Sequence, residues 1–243
     1  MDFTYDGYRQ LIDLLEKNNY VISDYKNWRK YDQTVILRHD IDNDISKALD
    51  LAKLECDLGI TSTYFVLVTS DFYNILSAKN ENMLKEISKC GHGIGLHFDE
   101  VRYTDINTPN DAVDYIVKEA KILSYVIEKQ VDVVSMHRPS KMILDADLNI
   151  PGIINSYGQT FFKDFKYLSD SRRRWREPIA DIVNSKKYDR LHVLTHAIWY
   201  NDFEKDLHDS IFDFVNAGNR ERYIAEQSNI TDLQAIMHEN EIK

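Results

Sequence analysis

The sequence is short of the residues that interrupt or staple a chain. Its 243 residues include four prolines, eight glycines and two cysteines. So little proline and glycine leaves no flexible linker to mark a boundary, and one domain over residues 1–243 is expected. Cys56 and Cys90 form no CxxC pair. They read as buried apolar thiols within helices, and nothing calls for an oxidising compartment. Positive charge is also scarce: 30 Lys and Arg face 40 Asp and Glu, a net −10. That balance argues against a general nucleic-acid binder, which needs a basic surface to neutralise phosphates. No apolar run approaches the ~18 residues of a membrane span. The opening stretch MDFTYDGYRQLIDLLEKNN is acidic and amphipathic. It lacks the basic start and apolar run of a secretory leader, so the cytoplasm is the expected location. Repeats and low-complexity segments are absent as well.

What is present is ordinary for a globular chain: 43% hydrophobic and 29% charged residues, enough to bury a sizeable core. Periodicity alternates along the chain. Helical spacing in YRQLIDLLEKN precedes the β-branched run TVILRHD. DISKALDLAKLECDLG reads as a helix with Asp44 as N-cap and Gly59 as its stop. Strand STYFVLV, helix NENMLKEISKCG and strand HGIGLHF follow. Next come a long helix opening near Pro109, strand VDVVSMH, an irregular stretch, strand RLHVLTHAIWY and helix FEKDLHDSIFDFVNA. Strands alternating with helices predict an α/β fold with parallel pairing. In such folds the catalytic groups gather at the carboxyl ends of the strands.

The strand ends carry chemistry. RHDID supplies Arg38, His39, Asp40 and Asp42; LHFDE supplies His97, Asp99 and Glu100; MHRPS supplies His137 and Arg138; LTHAIWY supplies His196. One strand-end histidine is weak evidence, but four converging on one barrel mouth suit a divalent metal with imidazole and carboxylate ligands. Such a metal lowers the pKa of bound water towards ~7. A further histidine can then serve as general acid, and Arg138 can orient a carboxylate or hold an anionic substrate.

The stretch CGHGIGLHFDE admits a rival reading as a phosphate-cradling loop. A dinucleotide fingerprint places its glycines after a strand and before a helix, spaced GxGxxG. Here a helix precedes them, and Gly91, Gly93 and Gly95 alternate. Alternate glycines lie on one strand face, where they permit close approach of a neighbour. His92, at the entry of its strand, reads as structural. SRRRWREP reads as a solvated basic loop, or as an anion clamp for a nucleotide- or lipid-linked sugar. Trp199, Tyr200 and Phe203 read as packing, or as a platform for sugar rings.

The ordered series RHDID, GHGIGLH, HRPS, DSRRRW and LTHAIW resembles the polysaccharide deacetylase (NodB-homology, carbohydrate esterase family 4) superfamily, in a divergent branch with HDID in place of paired aspartates. The motifs run from Arg38 to Trp199. The resemblance implies a distorted (β/α) barrel and metal-dependent removal of N-acetyl groups from sugars. It implies Asp40 and His97 as metal ligands, His39 at the position of the base, Arg138 before Pro139, Asp170 and Trp175 in the fourth motif, and His196 as general acid oriented by Asp170. The second metal histidine of the family falls on Val101, which cannot ligate. His137 is the best replacement, with Asp42 and Asp99 as alternatives; Asp42 is also an alternative to His39 as base.

The expected cofactor is a divalent metal, Zn²⁺ first, with Fe²⁺ or Mn²⁺ also suited. The expected substrate is an acylated amino sugar, free, nucleotide-linked or lipid-linked, in glycan metabolism. Two alternatives remain: a non-catalytic glycan-binding scaffold that lost the metal, and an amide hydrolase acting on another acyl group such as formyl.

Overall fold

The computed structural model describes residues 1–242. In chain order the elements are α1 (Tyr5–Lys17), β1 (Val21–Ser23), β2 (Thr34–Ile41), α2 (Ile45–Asp57), β3 (Thr63–Val66), α3 (Ala78–Lys89), β4 (Gly93–Phe98), α4 (Pro109–Ile127) and β5 (Val133–Met136). Then follow α5 (Lys141–Asp145), β6 (Ile154–Asn155), α6 (Gln159–Lys163), β7 (Lys166–Ser169), α7 (Ile179–Ser185), β8 (Arg190–Thr195), α8 (Leu207–Gln227) and α9 (Leu233–Ile236). Most periodic segments form near where the sequence places them, but α8 starts at Leu207 and runs on to Gln227, beyond FEKDLHDSIFDFVNA, and β8 stops at Thr195, before the end of RLHVLTHAIWY. Asp44 caps α2 by accepting the Ser46 N–H at 2.7 Å. Thr108 and Asp111 form a capping box at α4, with Pro109 in its first turn. Gly91, at φ +94, turns the chain out of α3 in a conformation that L side chains resist.

Every strand pair is parallel, in the order β6-β5-β4-β3-β2-β8-β7, with β1 added beside β2. The sheet is curled. Arg38 on β2 donates through Nη2 to the Ser135 hydroxyl on β5, although those strands lie three positions apart in the sheet. A flat sheet would separate them by about 14 Å, beyond the reach of a guanidinium. The edge strands β6 and β7 share no ladder. Rings close the gap instead: Tyr157 lies 5.2 Å from Phe162, and Phe162 stacks 6.0 Å from Tyr167. The result is an incomplete (β/α) barrel.

Side chains alternate across each strand. Ile36 and Phe65 point into the lumen, where they pack with Tyr25, Trp28, Val133, Phe161 and Phe165. A Cβ on Gly95 would sit 2.5 Å from the Phe65 ring, so the alternate glycines of β4 do serve close packing. No helix among the described residues is long and apolar enough to cross a membrane.

The backbone gathers into two compact units, Met1–Asp202 and Phe203–Lys243, where the sequence offered one domain over 1–243. No glycine- or proline-rich linker marks the junction, so composition held no signal for it. The first unit contains the whole barrel. In the second, the Tyr223 hydroxyl of α8 donates to the Met237 carbonyl at 2.8 Å.

Candidate metal centre

The carboxyl ends of β2, β4, β5 and β8 meet at one barrel mouth. Counting alternate residues from the lumen-facing Arg38, Asp40 points inward and His39 outward. Contacts agree. His39 is buried behind the sheet, with Nδ1 2.6 Å from Thr195 Oγ1 and Nε2 3.0 Å from Glu55 Oε1. It does not reach the mouth, so the position expected to carry the base is on the wrong face.

Asp40 does face the mouth, but it is held by Arg38. Nη2 of Arg38 lies 2.6 Å from each Asp40 oxygen and Nε 3.2 Å from Oδ1. Both residues are buried. Burial disfavours the Arg38 charge, yet Asp40 beside it outweighs that and raises the guanidinium pKa further. The R-x-D spacing that puts these two on one face is visible in the sequence, although the Arg38 contact was not expected.

Asp42, just past β2, joins two histidines. Its Oδ1 lies 3.2 Å from His97 Nε2 and 3.3 Å from His137 Nδ1, and those nitrogens are 3.1 Å apart. Oδ1 of Asp42 is buried and makes no well-directed hydrogen bond. Asp40 Oδ2 stands 3.5 Å from His97 Nε2. The geometry therefore groups Asp42, rather than Asp40, with His97 and His137. Tetrahedral ligands at 2.0–2.1 Å from a zinc ion are about 3.3–3.4 Å from one another, and the observed triangle is close to that size. Two imidazoles and a carboxylate also form a suitable donor set for Zn²⁺. The residues present fit a divalent metal. Burial pushes the Asp42 carboxyl pKa up, but His137 and His97, then His196, hold it well below the usual carboxylate range.

His196 follows β8. Its Nδ1 lies 2.6 Å from Asp170 Oδ1, and its backbone N–H donates to Asp170 Oδ2 at 3.1 Å. Nε2 faces the centre, 3.7 Å from Asp42 Oδ2. Burial lowers the His196 pKa; Asp170 and then Asp42 overcome this and raise it to about 9. Burial raises the Asp170 pKa against the opposing pull of His196.

The remaining candidates sit around this core. Arg138 donates to Asp99 Oδ2 at the rim, with its side chain 61% exposed. It thereby orients a carboxylate and removes Asp99 from the ligand candidates. Val101 is exposed on a short turn and offers no donor. His92 is structural: buried, it contacts the Ala52 carbonyl and the Ser62 N–H at 2.9 and 3.2 Å. Cys56 is exposed and Cys90 half-buried, against the expectation of buried thiols. The helix buries Glu55, one position earlier, in place of Cys56. Trp199 and Tyr200 are packed, whereas Phe203 is 80% exposed.

No protein-family model matches the chain, and no curated protein matches it. Solved structures do. The chain is similar to polysaccharide deacetylases of known structure. Against the peptidoglycan deacetylase PdaC from Bacillus subtilis the identity is 14%, covering 84% of this chain and 96% of that one, with a TM-score of 0.47. Against the chitin deacetylase from the fungal pathogen Colletotrichum lindemuthianum it is 14%, covering 76% and 81%, with a TM-score of 0.46. Against BA3943 from Bacillus anthracis, a CE4 family pseudoenzyme, it is 13%, covering 79% and 62%, with a TM-score of 0.41.

Proposed function

We propose that the chain is a metal-dependent hydrolase that removes an N-acyl group, acetyl first, from an amino sugar. One observation carries the reading: Asp42 Oδ1, His97 Nε2 and His137 Nδ1 form a triangle 3.1–3.3 Å on a side, with His196 Nε2 3.7 Å from the other Asp42 oxygen. Asp42 and His137 keep 26% and 20% of their side chains exposed, so these residues border the solvent although Asp42 Oδ1 itself is buried. Asp42, His97 and His137 would hold a divalent ion, Zn²⁺ by donor preference, which would supply Lewis acidity and make water more acidic.

The protein groups divide the remaining work. Asp40, fixed by Arg38 and 3.5 Å from His97 Nε2, is positioned to accept the proton of the attacking water. This gives Asp40 and Asp42 each other's expected roles and leaves His39 out. His196 Nε2 delivers a proton to the departing amine nitrogen, with Asp170 holding the ring from its far side. Arg138, tied to Asp99, shapes the rim where the sugar enters.

The test is metal analysis of protein purified without a polyhistidine tag, paired with acetate release from N-acetylglucosamine oligosaccharides. One equivalent of metal per chain is expected, lost in His97→Ala and in His137→Ala. Absence of bound metal, with no acetate released after Zn²⁺, Mn²⁺ or Fe²⁺ is added, would overturn the reading in favour of a glycan-binding scaffold.

A further inference from the structure

The loop after β7 carries four arginines, Arg172, Arg173, Arg174 and Arg176, within five positions. Asp170 opens it, and Ser171, Arg172, Arg174 and Arg176 line one pocket of about 610 Å³. In a chain of net charge −10, free arginines normally find carboxylates. Here the acids flanking the cluster are already committed. Asp170 holds His196 at 2.6 Å, and Glu177 takes Lys166 at 2.6 Å. Among the described residues, Arg172, Arg174 and Arg176 have no side-chain ion-pair partner.

The backbone is bent to present them. Arg172 and Arg173 sit at φ 60 and 56, a left-handed conformation that L side chains rarely adopt. The Arg174 N–H closes back on the Asp170 carbonyl at 3.1 Å, and the Arg176 N–H on the Ser169 carbonyl at 3.3 Å. The Ser171 hydroxyl lies 2.7 Å from that of Ser169. The pocket is thus anchored to the residue that orients His196. Guanidinium forks match phosphate oxygens in geometry and charge, and several together suit a diphosphate better than a single carboxylate.

We propose that Ser171, Arg172, Arg174 and Arg176 bind the phosphate or diphosphate of a glycosyl phosphate substrate, next to the Asp170–His196 pair. This rests on the hydrolase reading only for what the anion is attached to. The substrate class is then an N-acylated amino sugar carrying a diphosphate. A nucleotide and a polyprenyl lipid offer the same anion.

The first measurement is calorimetric binding of inorganic pyrophosphate to the full chain, wild type against Arg172→Gln/Arg174→Gln/Arg176→Gln and against Arg172→Gln alone. These side chains are exposed, and circular dichroism checks that each variant folds. Saturable binding is expected, weakened about tenfold for each arginine removed, as for loss of a charge-assisted contact. Equal binding by wild type and both variants, or none by wild type, overturns the subsite. The hydrolase reading would survive that result if neutral oligosaccharides are still deacylated.

The second measurement compares kcat/KM on a neutral oligosaccharide, a nucleoside-diphosphate amino sugar, and a polyprenyl-diphosphate amino sugar in phosphatidylcholine vesicles. Preference for either diphosphate, lost in the triple variant, supports the subsite and identifies the carrier. Equal kcat/KM on all three overturns it. Pyrophosphate binding without turnover of any substrate supports the subsite and counts against the hydrolase.

Discussion

At the scale of single residues, His196 is the most exposed to test. It touches both the buried Asp170 and the open side of the centre. His196→Ala is expected to lower kcat by about 10²–10⁴, the usual range for a lost general acid, while metal content stays at one equivalent. A loss of metal in step with activity would instead make it a ligand. Of the residues grouped here, His97, His137 and His196 were visible as strand-end chemistry, whereas Asp170 was marked only by the resemblance of its motif. The inner division of labour was not legible. HDID offers two aspartates and a histidine in four positions, and assignment from the family pattern put His39 at the mouth. Strand alternation puts it behind the sheet. Knowing that Arg38 faces the lumen is enough to decide this, because odd and even residues of β2 cannot share a side.

At the scale of elements, two contacts decide how the sheet is dressed. Gly95 on β4 lets the Phe65 ring lie against its backbone. Gly95→Ala is expected to cost about 1–3 kcal/mol by over-packing, measured as a lower denaturation midpoint with an unchanged denaturant slope. On the other side of the sheet, Glu55 of α2 accepts from the Tyr8, Ser62 and Tyr64 hydroxyls at 2.5, 2.6 and 2.8 Å and contacts His39 at 3.0 Å. It ties α1, α2, β2 and β3 together. An amide there would turn one acceptor into a donor facing donors, so Glu55→Gln is expected to destabilise by about 2–3 kcal/mol; chemical denaturation measures it. A charged residue in an amphipathic helix reads as a solvent-facing position, which is why the sequence concealed this hub. The major strands were legible because Val, Ile, Leu and Phe crowd them. Short β1, β6 and β7 were not: Ile154–Asn155 and KYLS carry too few apolar residues to stand out from a loop.

At the scale of the whole molecule, two buried carboxyls pull stability in opposite directions with pH. For Glu55, burial raises the pKa, but His39, its hydrogen bond and His92 bring it down to about 2. A depressed acid stabilises the fold above its ordinary 4.5, and that contribution is lost as pH falls towards 2. Burial raises Glu119, with Asp99 adding to it, to about 7 despite the Tyr103 hydroxyl. Between 4.5 and 7 the unfolded chain loses this proton while the folded one keeps it, so stability falls as pH rises. Through these groups stability is expected to peak near pH 4.5–5 and decline towards neutrality. Glu119→Gln should flatten the decline, and thermal melts across that range measure it; an unaltered slope in the variant would remove Glu119 as its source. Arg38 has a consequence at this scale too. With Tyr25, Phe65 and Phe161 it fills the lumen below Asp40. A filled lumen blocks any route through the core, so a small molecule reaching Asp42, His97 and His137 has to approach from the mouth.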